Sequence, residues 1–170
     1  KTCDKKDEQK VALARLCMST SPHVWKYSES ISLSLACFEL IEANNFELYK
    51  FEASIGHINL LTLEEVITFI AKKSISIFFD LITNSIDYRL VRSGTQIICN
   101  LSVSELFVQR ILSSEKYLQI LTFLLKSSED QDTRMAAGGA LAMLANNEQV
   151  TEKLNPDEIF SLLETPNFLT

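Results

Sequence analysis

Three segments of this chain can be laid on one another without a gap: FEASIGHINLL from Phe51, RSGTQIICNLS from Arg92 and MAAGGALAMLA from Met135. Their starts are 41 and 43 residues apart, and a weaker copy ending Arg15-Leu16-Cys17 places Arg15 44 residues before Asn59. A period of this length excludes most folds with a single closed core. Each copy is one supersecondary unit that buries its apolar face only against the next unit. The 170 residues are therefore read as one array of stacked repeats, spanning 1–170, rather than as a count of globular domains.

The segments between the copies repeat as well. After Leu61 the pattern gives a short helix over about Leu63–Lys72, a longer one over Ser74–Thr83, and a turn Asn84-Ser85-Ile86-Asp87. After Leu101 it gives Glu105–Leu112, then about Glu115–Lys126, then the acidic turn Ser127–Asp132. Glu148–Leu154 and Asp157–Glu164 supply the first two helices of a further unit. One short helix and two longer ones per unit is the order of armadillo repeats, whereas HEAT units have two helices. The expected fold is all-α: an armadillo-like right-handed α-solenoid of about three repeats with partial units at both ends. Its third helices lie near 8–18, 47–61, 88–102 and 133–146.

Local signals mark where helices start. Thr62-x-x-Glu65 and Ser102-x-x-Glu105 read as capping boxes. Asp87 and Asp132 read as N-caps of two third helices, and Asn155-Pro156-Asp157-Glu158 places a cap, a first-turn proline and two acids together. Ser30-Ile31-Ser32-Leu33-Ser34-Leu35 and Ser74-Ile75-Ser76-Ile77 alternate like strands. Both occupy the middle-helix slot of the repeat, so helix is expected there. Small residues crowd the third helices (Ala53 and Gly56, Gly94, Ala136 to Ala140). Glycine inside a helix costs about 1 kcal/mol against alanine, so close approach between stacked repeats is the expected reason.

Composition removes several function classes. A net charge of −6 opposes a phosphate-binding surface, so nucleic acid is not an expected partner. No apolar run reaches the roughly 18 residues of a membrane span, and the charged start Lys1 to Glu8 has no apolar signal core. Cys3, Cys17, Cys37 and Cys99 form no CxxC pair and stand away from ligand spacing to His23 and His57, so no metal is expected. Free thiols in apolar helices fit a reducing, cytoplasmic setting. Gly138-Gly139 has neither a preceding strand nor a following Lys-Ser/Thr, which disfavours a phosphate loop. His57 reads as a packing residue, His23 as a solvated loop residue, and the paired acids fall in first helical turns. No nucleophile–base arrangement is visible, so the expectation is no enzyme, no catalytic residues and no cofactor.

Binding is better supported. Asn59 and Asn100 share one alignment position near the ends of third helices, and Met143 replaces them in the third copy. An asparagine amide offers donor and acceptor together and can clamp an extended backbone. It can equally bond helix-end carbonyls or neighbouring loops. Both readings stay open at this point.

Phe51 to Leu60, Cys99-Asn100-Leu101 followed by Glu105-Leu106-Phe107, and Ala136 to Leu144 together resemble the UCS domain of myosin-directed chaperones, in register from roughly Val11 to Leu154. The resemblance implies a cytosolic armadillo solenoid that engages the myosin motor domain and supports its folding and actin-based function. It implies a groove along the third helices, with Asn59, Tyr88, Arg92, Gln96 and Asn100 as candidate client contacts. Animal members add a separate N-terminal module that recruits heat-shock chaperones, and nothing here resembles it. A generic armadillo interaction scaffold is the alternative. A nuclear-import adaptor is disfavoured: it would need tryptophans where this chain has Ile55, Gln96 and Gly139.

Overall fold

The computed structural model describes residues 5–43, 46–73 and 75–154. Among them are ten α-helices in chain order: α1 Lys5–Ser19, α2 Tyr27–Ala43, α3 Glu47–Leu60, α4 Glu64–Ala71, α5 Ser76–Asn84, α6 Tyr88–Leu101, α7 Glu105–Leu112, α8 Glu115–Ser127, α9 Gln131–Leu144 and α10 Glu148–Lys153. The third-helix slot is filled by α1, α3, α6 and α9, each packed against the next. Within a repeat the middle helix lies on the third helix, as α2 on α3, α5 on α6 and α8 on α9. The short helices form their own row, with α4 against α7. This is an armadillo-like α-solenoid. In the first described unit the short helix shrinks to a 3-10 turn, Pro22–Val24, with proline in its first turn.

The strand-like serine alternation over residues 30–35 lies wholly in α2; of the second, Ser76 and Ile77 open α5, Ile75 precedes it, and Ser74 lies outside the described residues. In α2 the hydroxyl of Ser30 donates to the Tyr27 carbonyl at 2.9 Å and that of Ser32 to the Ser28 carbonyl at 2.8 Å. These back-bonds satisfy two of the three hydroxyls of that run inside the helix, while that of Ser34 is buried without a partner. Ala36, Cys37, Phe38, Leu40 and Ile41 of α2 are all buried, so the helix is covered around much of its circumference. Phe78 of α5 anchors the core, wholly buried, with the rings of Phe38 and His57 edge-on at 5.8 Å.

Three local expectations are corrected. Neither capping box forms: the N-caps of α4 and α7 are Leu63 and Ser104, without side-chain caps. Thr62 donates instead to the Asn59 carbonyl at 2.9 Å, and Ser102 to the Ile98 carbonyl at 2.8 Å. The connections are so short that these hydroxyls still belong to the last turn of the preceding third helix. Asp87 caps α6 as expected, but Asp130, not Asp132, caps α9 by accepting from the Thr133 amide at 2.9 Å. Finally, α1 is in register with α3 at 41 residues rather than 44. The helix ends Ser19, Leu60 and Leu101 are 41 residues apart, and the asparagine bonds described below recur at that interval, Asn59 to Cys17 and then Asn100 to Ile58. The Asn155–Glu158 start signal and the helix expected over Asp157–Glu164 lie outside the described residues.

Glycines mark the close approaches. A Cβ on Gly56 would stand 2.8 Å from the Ala14 carbonyl oxygen of α1, and one on Gly139 would stand 3.0 Å from Cys99 Sγ of α6. Gly94 faces Ile82 of its own repeat rather than the neighbouring repeat.

Candidate protein-binding groove

Between α3, α6 and α9 the third-helix layer opens into a groove of about 590 Å³. Phe51 and Ile55 of α3, Tyr88, Arg92 and Gln96 of α6, and Met135 of α9 line it. Tyr88 and Met135 are 60% and 58% exposed. Exposed apolar side chains gathered on one groove, rather than scattered singly, fit an interaction surface. Three of the five sequence candidates, Tyr88, Arg92 and Gln96, come together here.

Asn59 and Asn100 do not line this groove. The Asn59 amide nitrogen donates to the Cys17 carbonyl at 2.6 Å and to the Thr20 carbonyl at 2.9 Å. That of Asn100 reaches the Ile58 carbonyl at 3.4 Å, while its oxygen accepts from Gln96 at 3.1 Å. Each asparagine thus bonds the end of the preceding third helix, 42 residues back, where carbonyls lack intrahelical partners. The same device runs along the short helices. Arg110 donates to the carbonyls of Lys73 and, at 2.9 Å, Lys72, and Lys153 donates to the Leu112 carbonyl at 3.1 Å. Of the two readings of the asparagines, the structure takes the second, repeat-to-repeat stacking.

The groove's charges are paired among themselves. Arg92 bonds the Asp130 carboxylate through Nη2 and through Nε at 2.9 Å, and Asp132 through Nη1 at 2.8 Å. Its guanidinium also lies 5.6 Å from the Tyr88 ring centre. The Arg92 hydrogen bonds hold the Asp130 carboxyl down to about 2. Arg89 grips Asp87 through Nε at 3.0 Å and Nη2 at 2.7 Å and sits over the Phe51 ring at 5.1 Å. Its hydrogen bonds keep the Asp87 carboxyl below the usual carboxylate range.

Groups with catalytic potential are placed elsewhere or suppressed. His57 is fully buried, both ring nitrogens lack partners, and burial pushes it down to about 3. The expected packing role is thus filled at complete burial. Cys99 at the groove floor is raised by burial, which works against a thiolate. Cys17 and Cys37 are free, buried thiols. Among the described residues no three His, Cys, Asp or Glu side chains could hold a metal ion, and no helix is long and apolar enough to cross a membrane.

Sequence reasoning missed Phe51, Ile55 and Met135 as groove residues. The signal was present: Phe51, Arg92 and Met135 share the first column of the repeat alignment.

No protein-family model matches the sequence, and no curated protein matches it. Among solved structures, UNC-45 from Drosophila melanogaster superimposes with a TM-score of 0.86 at 25% identity, over 98% of this chain and 22% of that one. The chain therefore spans about a fifth of the length of that protein. The crystal structure of an engineered protein superimposes with a TM-score of 0.76 at 18% identity, over 98% of this chain and 70% of that one. The second likeness concerns the fold alone. Together with the stacked three-helix repeats, they show that this chain has a UNC-45-like armadillo solenoid fold.

Proposed function

We propose that this chain is a non-catalytic, protein-binding part of a myosin-directed chaperone, and that its α3–α6–α9 groove seats a segment of the myosin motor domain. The observation that carries the reading is the apolar lining of one groove between stacked third helices, where Tyr88 and Met135 are exposed and Phe51 and Ile55 half-buried. The sequence resemblance to UCS-domain chaperones and the likeness to UNC-45 support the choice of client. The mechanism is equilibrium binding of an exposed segment, which keeps it from aggregating while the motor domain folds. It needs no ATP hydrolysis by this chain. Heat-shock chaperones would be recruited through other parts of the parent protein, in the cytoplasm.

A pull-down of myosin motor domain by the full-length parent protein tests this. Binding that weakens with Met135→Glu is expected, and no binding by the parent sinks the proposal. A generic interaction scaffold predicts instead a stable complex with a folded non-motor partner and no suppression of aggregation. An import adaptor needs free asparagines beside tryptophans; here both asparagines are engaged in stacking, and binding to basic peptides is not expected.

A further inference from the structure

Two cysteines that take no part in the groove meet at the seam between α1 and α2. Cys17 lies in the last turn of α1 and Cys37 in the second half of α2, and both are fully buried, free thiols. The two thiols hydrogen-bond each other. Sulfurs in that contact have a short path to a bond, whereas cysteines whose side chains point apart cannot be bridged without backbone movement.

The surroundings hold the pair in place. The Cys17 carbonyl accepts from Asn59 Nδ2 at 2.6 Å, and Cys17 Cβ stands 3.3 Å from where a Cβ on Gly56 would lie. The backbone of α1 is thus fixed at Cys17 by α3, while the thiol turns to α2. The pair is also asymmetric. Its hydrogen bond favours a thiolate on Cys17 and keeps the proton on Cys37, and burial adds to the second effect. A thiolate is the form that attacks a peroxide, and a thiol beside it resolves the product. Cys99 is only raised, by burial. Ser34, three residues before Cys37, is buried with its hydroxyl unpartnered. Residues three apart share a helix face, so a polar group stands ready on the Cys37 side of α2.

We infer that Cys17 and Cys37 form a peroxide-sensitive modification site, in which Cys17 is oxidised first and Cys37 resolves it to a disulfide between α1 and α2. In the first step the Cys17 thiolate attacks one oxygen of hydrogen peroxide and the O–O bond breaks. The products are Cys17 sulfenic acid and hydroxide, which takes up a proton to become water. In the second step the Cys37 sulfur attacks the Cys17 sulfur and the S–O bond breaks. The sulfenic hydroxyl leaves with the Cys37 proton as a second water. Two thiols and one peroxide give one disulfide and two waters, and a dithiol reductant reverses the oxidation. Because both sulfurs are closed to solvent, the reaction proceeds through local opening of the α1–α2 seam and is slower than oxidation of an exposed thiol. The bond constrains the unfolded chain between the two cysteines and so raises the thermal midpoint. None of this depends on what occupies the groove.

The test treats the reduced, native full-length parent protein with hydrogen peroxide, then alkylates, digests and maps it by mass spectrometry. A Cys17–Cys37 linked peptide pair is expected, two hydrogens lighter than its reduced parts and lost on treatment with dithiothreitol. The order of the steps is read with dimedone, which labels sulfenic acid. Cys37→Ser should leave Cys17 labelled about tenfold more than Cys37 is labelled in Cys17→Ser. Cys37→Ala and Cys17→Ala repeat the comparison with apolar replacements, so impaired folding of one variant does not decide it. Full alkylation of both cysteines after peroxide overturns the inference, as does a link from Cys17 to any other cysteine or a pair that forms only after denaturation. Dimedone on Cys37 rather than Cys17 overturns it as well.

Discussion

The α1–α3 and α6–α9 seams join the same kind of helix to its neighbour by different means. At the first, Gly56 lets α3 approach the backbone of α1, and Asn59 ties off two carbonyls at the end of α1. At the second, Met143 stands where the asparagine was, and the polar link moves to the other end of the helices, where Arg92 bridges to the N-cap Asp130 and to Asp132. In the first seam the asparagine is consumed in stacking, beside an exposed Arg15–Glu52 ion pair that also joins the two helices. In the other the polar groups sit at the mouth of the groove and shape what can enter. The period alone does not separate structural from binding roles, because the same repeat position serves either.

Substitutions can break this contrast, beginning with the largest effect. Gly56→Ala pushes a methyl group onto a carbonyl oxygen that cannot rotate away, and should destabilise the fold by about 2–3 kcal/mol in chemical denaturation. Gly139→Ala meets only a cysteine sulfur and gains about 1 kcal/mol of helix propensity, so little net change is expected. Equal losses at the two sites would remove the distinction. Asn59→Ala should cost about 2 kcal/mol, since it strands two carbonyls, whereas Asn100→Ala, which loses one long bond to a carbonyl and a bond from Gln96 within its own helix, should cost about 1 kcal/mol.

Acid should also act unequally. His57, beside Gly56, has its folded-state pKa lowered from 6.5 to about 3. The unfolded chain therefore binds the extra proton first, and stability falls as pH drops below about 6.5, by about 2 kcal/mol at pH 5. Replacing it in His57→Leu should flatten the pH dependence of thermal unfolding over that range. Asp130 is held at about 2, so its contribution is present above about pH 4 and is lost only as pH falls toward 2. Asp130→Asn should cost about 1 kcal/mol at pH 7. It keeps an N-cap but weakens an ion pair whose arginine is 41% exposed.

Much of the fold was legible because the repeat pattern is carried by buried positions. Leu60, Leu101 and Leu144 end their helices fully buried, and such positions recur whatever the surface does. The site was less legible. Thr62 and Ser102 matched a capping box in spacing, but the turns there are too short for the hydroxyls to leave the preceding helix. Asn59 and Asn100 aligned correctly, yet their direction, back into the neighbouring helix rather than out into the groove, depends on stacking geometry that a sequence does not contain. Arg92 was found as a candidate, but its neutralisation by two aspartates 38 and 40 residues away appears only in three dimensions.

The claim that the third-helix groove receives the client is tested most directly by hydrogen–deuterium exchange of the full-length parent protein with and without myosin motor domain. Binding in the groove should slow exchange in α3, α6 and the start of α9, while α4, α7 and α10 remain unchanged. Protection confined to the short-helix row, or to α2, α5 and α8, would contradict it.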